Sequence, residues 1–486
     1  TDYTTGDATV TGNTLNSTIL VNGASNRAAG TLNTTPFSST TAGQVSVDYA
    51  PAGAGVAAIG GVTIGNAQIA AGVDSSAQVT DSNIALVNTM TVPGSSGAPV
   101  TVTGNTANAD DTVNRGDNRF VAAEGGAVSY TGSVGVVNGQ ANLGGSTTAT
   151  ASDTAIGAEL DGTAYTGGLS VSGNTLGASA QGNDAAAVDA NGNLVRGNVI
   201  SFGQGINVTG PTGTANLAMS FGSITGTTAT VGTADASLAL LSSQGNQGGS
   251  ITGAIQDSRI GADVASLNGG TLTANADHST VSAGGNNAIN LISADSAAFD
   301  ASVAAGNQQA NDSTAISAAA TDVTVGVQTG HVSATSTATV ADSSIDASIS
   351  GNSAQTIVDV SGSNFTAGPA SPVSADGGIG SDVSLDAGTA GIAVGNLQAN
   401  FGAGIVDSAS VENANLGVLF DYSRTNYGGV EGNSRNDTIA TVTGNALSAT
   451  AGGNSASTAI NASGTVGTLT ASLVSGQYDA NDIQAT

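Results

Sequence analysis

Cysteine is absent from this 486-residue chain. That excludes disulfides, cysteine–zinc sites and thiol chemistry together. Lysine is absent as well: the seven basic residues are all arginine, set against 35 acidic ones for a net charge of −28. Binding to phosphates requires clustered Lys or Arg, so nucleic acid and anionic membranes are poor partners for such a chain. Tryptophan is missing and aromatics make up only 3%, too few to fill a wide globular core. A thin core of Val, Ile, Leu and Ala remains open. Charged residues amount to 9%, against about 25% in ordinary soluble domains. No long apolar run exists either. The longest uncharged stretch near the start, residues 50–72, is studded with glycine and broken by Pro51, Asn66 and Gln68, so no membrane-embedded helix is expected. The sequence opens at Thr1 with no signal-like run; the expectation is a chain whose leader has been removed.

What is abundant is glycine, 71 residues, together with Ala, Ser, Thr, Asn and Val. Helical periodicity is nearly missing, and short alternating runs occur throughout. Val45-Ser46-Val47-Asp48-Tyr49, Asp322-Val323-Thr324-Val325 and Ser344-Ile345-Asp346-Ala347-Ser348-Ile349 are examples. Alternation with β-branched residues predicts half-buried strands. A degenerate repeat organises them. Val10-Thr11-Gly12-Asn13-Thr14-Leu15 recurs over residues 102–107, 171–176 and 442–447. Gly-Asn pairs recur elsewhere, among them Gly65-Asn66, Gly245-Asn246, Gly306-Asn307, Gly351-Asn352 and Gly395-Asn396. Gly and Asn both tolerate positive φ and favour turns.

These signals predict an all-β fold, a parallel β-solenoid (β-helix) with Gly-Asn corners, in which stacked Asn side chains form amide ladders. The steps that follow Asn286 suggest coils of about 22 residues, hence roughly 20 coils and a rod on the order of 100 Å. Tandem β-sandwich domains are the alternative. The expected organisation is an N-terminal strand-like assembly segment (1–20), a repeat body (21–415) and a C-terminal capping or assembly region (416–486). The last contains Leu416 to Tyr427, rich in aromatics. Tyr3, Val10, Phe420, Tyr422, Arg424 and Tyr427 are the expected assembly residues, because an uncovered coil end is a sheet edge that templates pairing with another chain.

Catalytic chemistry has little to draw on. His278 follows Asp277 in a Ser/Thr-rich stretch, without a Gly-x-Ser-x-Gly elbow, and His331 stands alone; both are expected at the surface. Asp110-Asp111 is the one Asp-Asp pair. A calcium site is expected, if anywhere, at Asp189, Asn191 and Asn193, which place oxygen donors at alternate positions around Gly192. Gly377–Asp382 matches the start of a calcium-binding toxin repeat in a single copy, and a solvated turn is the expected reading of both segments. Arg115-Gly116-Asp117 matches an integrin-binding tripeptide, and Ala334 to Thr339 has the Thr alternation of ice-binding faces.

The Val-Thr/Ser-Gly-Asn-Thr/Ala-Leu/Ala units, the lysine-free acidic balance and the missing cysteine resemble large repetitive secreted bacterial proteins: surface adhesins, surface-layer proteins and filament subunits. The resemblance implies an extracellular or cell-surface location. The chain is also expected to play a non-enzymatic structural role as a homopolymer, with other cell-surface components as further partners. The expected function is a structural subunit of a self-assembling filament, tubular appendage or surface layer. An adhesin stalk is the alternative, followed by a polysaccharide-active enzyme.

Overall fold

A computed structural model describes residues 7–32, 37–38, 43–50, 53–88, 97–124, 129–211, 215–221, 230–363, 374–376, 383–402, 404–420, 439–464 and 469–486. Every regular element among them is a strand. The chain runs repeatedly through five parallel sheets in one fixed order. Sheet I begins with Ala8–Thr11 and ends with Ile439–Thr443. Sheet II runs from Thr14–Leu32 to Ala446–Ser463, sheet III from Val62–Ala71 to Ala471–Asp479, and sheet IV from Ser75–Thr80 to Asp482–Ala485. Sheet V runs from Asn83–Asn88 to Asn415–Phe420. Sheets I, III and IV are each 6-stranded, one strand from each pass of the chain. Successive passes pair parallel and in register, as in Val10↔Val102 and Leu15↔Ala107. Each residue therefore belongs to a column that runs up the stack.

The step between passes differs from the 22 residues expected. Along the Asn22 column the passes are 92, 69, 103, 66 and 102 residues apart. The step from Asn286 to Asn307 is a crossing from sheet II to sheet III within one pass, not a full turn. At about 4.8 Å per strand, six passes span roughly 30 Å rather than 100 Å.

Long passes are long for a local reason. The first, third and fifth passes insert hairpins between sheets II and III. These are Gly43–Ala50 with Gly53–Ile59, Ala215–Phe221 with Thr230–Ala236, and Ser374–Asp376 with Val383–Ala390. The three hairpins pair antiparallel with one another into a 6-stranded side sheet. Two hairpin strands occupy about the same rise as two passes, because strand spacing is similar in parallel and antiparallel sheets. Insertion in alternate passes thus tiles the side sheet without gaps.

Alternation places the core. In Ser146–Ser152 the residues Thr147, Ala149 and Ala151 point inward and their neighbours outward. One apolar cluster, with Leu176, Ile255, Ile260 and Ile345, lies between sheets I, IV, V and the first halves of the sheet II strands. A second, with Phe120, Phe202, Leu240 and Val394, joins the later halves of sheet II to sheet III. The side sheet lays Leu217, Met219 and Leu385 over the other face of sheet III, against Leu241 and Leu397. Covered on both faces, the sheet III strand Ile392–Phe401 is buried along its whole length, as expected for a two-sided parallel sheet.

Candidate functional site

Between the two apolar clusters of sheet II lies a band of stacked amides. In sheet II, Asn22 donates through Nδ2 to Asn114 Oδ1 at 2.8 Å, and the same bond repeats from Asn114 to Asn183 (2.7 Å), Asn286 (2.8 Å), Asn352 (2.8 Å) and Asn454 (2.8 Å). In sheet III, Asn246 donates to Asn311 and Asn311 to Asn400, each at 2.8 Å, and Asn400 to Asp479 Oδ2 at 3.0 Å. The two columns cross-link: Asn286 Nδ2 donates to Asn311 Oδ1 (3.0 Å) and Asn311 Nδ2 to Asn352 Oδ1 (3.2 Å). A glutamine column runs beside them from Gln68 through Gln140, Gln244, Gln309 and Gln398 to Gln477, at 2.7 to 2.8 Å. One amide hydrogen each of Gln68, Gln244, Gln309 and Gln398 reaches a backbone carbonyl of sheet II, such as Ser353 O at 2.9 Å. Buried amides are tolerated here because their bonding capacity is met.

The Gly-Asn pairs divide into two kinds. One kind is the expected corner. Gly12, Gly104, Gly173 and Gly444 all have φ of 63° to 67° between sheets I and II, which glycine adopts without penalty. The following Asn then spans passes: Asn105 Oδ1 accepts from the backbone N of Asn13 (3.0 Å) and from its Nδ2 (2.9 Å). The other kind lies inside strands. Gly65-Asn66, Gly245-Asn246, Gly306-Asn307, Gly351-Asn352 and Gly395-Asn396 all sit within sheets II and III, which corrects their assignment to corners. At Gly351 a Cβ would fall 2.4 Å from Gly453 O, so the backbone approach that brings Asn352 into the ladder admits no side chain.

In the fourth pass the corner position holds Asp277. Its Oδ1 accepts from Asn174 N (2.9 Å) and Nδ2 (2.8 Å), while no side-chain or backbone donor among the described residues comes within hydrogen-bond geometry of its buried Oδ2. Burial pushes this carboxyl up to about 6, against the opposing pull of the Asn174 hydrogen bonds and His278. His278 stands in the column of Thr175 and Ser344, exposed, with Nδ1 3.0 Å from Ser344 Oγ. Asp277 and His278 are thus a corner residue and its outward neighbour, and Ser344 Oγ in turn donates to Asp346 Oδ2 at 2.7 Å.

The other motifs are used structurally. Asp189 Oδ1 accepts from the backbone N of Asn191 and Asn193 (2.9 Å each), and Oδ2 accepts from Asn193 Nδ2 at 2.9 Å. These bonds, led by those from Asn193, hold its carboxyl below the usual range. The three residues form the turn of the hairpin Ala187–Val188 with Leu194–Arg196. Among the described residues no three acidic or histidine side chains converge as a metal site. Arg115-Gly116-Asp117 lies inside the strand Thr106–Glu124. Asp117 Oδ1 accepts from Arg119 Nε (2.6 Å) and Gly197 N (3.0 Å), and Arg115 lies 3.9 Å from Asp184. Asp110 and Asp111 are consecutive on that strand and face opposite ways, so they do not form a carboxylate pair. Burial raises both carboxyls. Tyr3, Tyr422, Arg424, Tyr427 and Gly377–Asp382 lie outside the described residues. Val10 is on the first strand of sheet I, and Phe420 ends the last strand of sheet V, both packed against the main core.

The glutamine column escaped the sequence reading. Its signal is a recurring Asn/Ser-x-Gln-x-Asn/Asp, at residues 138–142, 242–246, 307–311, 396–400 and 475–479. Successive glutamines are 72, 104, 65, 89 and 79 residues apart, so no fixed period reveals them.

The two terminal faces expose apolar side chains. Leu15 and Leu447 occupy one column, whose inner members Ala107, Leu176, Ser279 and Ile345 are fully buried. Leu15 is 37% exposed and Leu447 53%. Val442 is 51% exposed, while Val102, Val171 and Val340 in its column are at 0%. No protein-family model matches this sequence, no curated protein matches it, and no solved structure matches its fold. No helix among the described residues is long and apolar enough to cross a membrane.

Proposed function

We propose that this chain is a parallel β-solenoid and a structural subunit that assembles with copies of itself into an extracellular bacterial filament, tubular appendage or surface layer. One observation carries this reading. The same columns that bury Val and Leu in the inner passes leave them open on the first and last passes, and an open parallel strand edge is a template for another strand. The net charge of −28 keeps single copies soluble and opposes premature association. The secreted location rests on the missing cysteine, the missing lysine and the resemblance of the repeat units to secreted bacterial surface proteins.

Electron microscopy of the purified protein at neutral pH, with and without a chelator, tests the proposal. Regular filaments, tubes or sheets are the expected result, and their loss on chelation would add divalent cations as a linking element. Dispersed single particles at every concentration and ionic strength would overturn it. They would favour the adhesin-stalk reading, for which a glycan-binding screen is the next step.

A further inference from the structure

We infer that copies join head to tail, the last pass of one seated in register on the first pass of the next, with a polarity dictated by the amide ladders. The inference rests on the self-assembly reading above and specifies its junction.

Polarity is built into the side chains. In the asparagine column every Nδ2 points toward the following pass, from Asn22 up to Asn454. Backbone groups fix this orientation: Asn114 Nδ2 also donates to Ala141 O (3.0 Å) and Asn286 Nδ2 to Ala310 O (3.0 Å). The first face therefore ends in the Oδ1 of Asn22, and no described donor reaches it. The last face ends in Asn454 Nδ2, which uses one hydrogen on Tyr478 O at 2.8 Å and keeps the other. The corner column has the same direction. Asn13 donates into Asn105, and Asn445 Oδ1 accepts from Ser343 N at 2.9 Å. Asn13 Oδ1 thus faces outward on the first face, and the Asn445 backbone N–H outward on the last.

The glutamine column runs the opposite way. Gln140 Nε2 donates back to Gln68 Oε1, and Gln477 Nε2 back to Gln398 Oε1. Gln68 is left with a spare N–H on the first face and Gln477 with an acceptor on the last. Stacking last on first matches donor to acceptor in all three columns at once. Stacking first on first sets Asn22 Oδ1 and Asn13 Oδ1 against acceptors, and last on last sets N–H against N–H. Such mismatches leave buried polar groups unpaired, which disfavours both alternatives. Apolar columns agree with this choice: Leu447 meets Leu15, Val442 meets Val10, and Leu473 meets Ile64.

The absence of native cysteine gives a clean test. In-register strands hold column neighbours about 5 Å apart, within the reach of a disulfide. The double variant Leu15→Cys/Leu447→Cys, assembled and then mildly oxidised, is expected to give a ladder of covalent multimers on a denaturing gel. Each single variant is expected to give none. The outward-facing column pair Thr18→Cys/Thr450→Cys repeats the test without altering an apolar contact. Covalent dimers from the Leu15→Cys or Leu447→Cys single variants would overturn the polarity. So would filaments, visible by microscopy, in which neither double variant forms multimers; self-assembly would then stand without this junction. Absence of any polymer would remove both readings.

Discussion

The inner passes and the terminal passes are built from the same columns, yet the same residue type has a different energetic meaning in each. Asn286 sits in the fourth pass with neighbours above, below and across, and is 1% exposed. Asn22 and Asn454 occupy the same column with a neighbour on one side only. In the middle of the stack an amide is a structural necessity, because each one it touches would be left unpaired without it. At the ends it is an unused bonding capacity. Ile345 and Leu447 stand in the same relation, one fully buried and the other half open. Under the proposed assembly, the binding surface is thus a by-product of the folding pattern.

The sharpest way to break this comparison is to substitute the two kinds of asparagine. Asn286→Ala strands the donors of Asn183 and Asn246 and the acceptors of Ala310, Asn311 and Asn352. It is expected to cost about 4 kcal/mol in chemical denaturation. Asn454→Ala is expected to cost under about 1 kcal/mol in the single chain and to slow polymerisation in a light-scattering assay. Similar losses for the two would show that the ends are as tightly coupled as the middle.

The apolar pair comes next. Ile345→Ala opens a cavity in the main core and is expected to destabilise by about 3 kcal/mol. Leu447→Ala, half exposed in the single chain, is expected to change the unfolding midpoint little and to raise the concentration needed for assembly. An equal midpoint shift would mean that Leu447 is already covered.

Asp277 offers a third test, confined to the inner passes. Its carboxyl is raised to about 6 by burial, whereas in the unfolded chain it titrates near 3.8. Between those values the folded state keeps a proton that the unfolded state has released. Stability therefore falls as pH rises from about 4 to about 6, and the loss persists at pH 7. The difference corresponds to about 3 kcal/mol. Asp277→Asn restores the corner amide of the first, second, third and sixth passes. It is expected to stabilise the protein at pH 7 by about that amount and to flatten the pH profile of the thermal midpoint. An unchanged profile would place the pH response elsewhere, for example at Asp111, Asp184 or Asp407, whose carboxyls burial also raises.

The smallest effect concerns charge. Identical acidic subunits repel one another, so raising salt from 10 to 150 mM is expected to speed assembly and leave the single chain's midpoint nearly unchanged. Assembly that slowed with salt would point to an attractive ionic junction instead.

Strand content, the alternation and the corner hexapeptide were legible because each is local. Val10-Thr11-Gly12-Asn13-Thr14-Leu15 and its three partners do mark one corner, in the first, second, third and sixth passes. The other two passes hide it. There Ala276 and Asp342 take the left-handed position, with φ of 54° and 51°, and Asp277 and Ser343 replace the asparagine. The length of a pass was not legible, because a hairpin enters every other one and shifts all later positions. Of the expected assembly residues, Val10 lies on the first strand of sheet I and Phe420 on the last strand of sheet V. The amide columns that carry the polarity were out of reach, since their members are 65 to 104 residues apart.

By itself the sequence determined that this chain makes strands with a thin aliphatic interior and glycine corners, without disulfides or thiol chemistry. Side-chain alternation and backbone freedom act over a few residues, and composition acts over the whole chain. Only the tertiary structure decided which strands stack and that the Gly-Asn pairs serve two purposes. It alone decided that asparagine and glutamine form opposed ladders. Those are properties of register between distant segments, and register is set when buried amides and apolar columns must be matched at once.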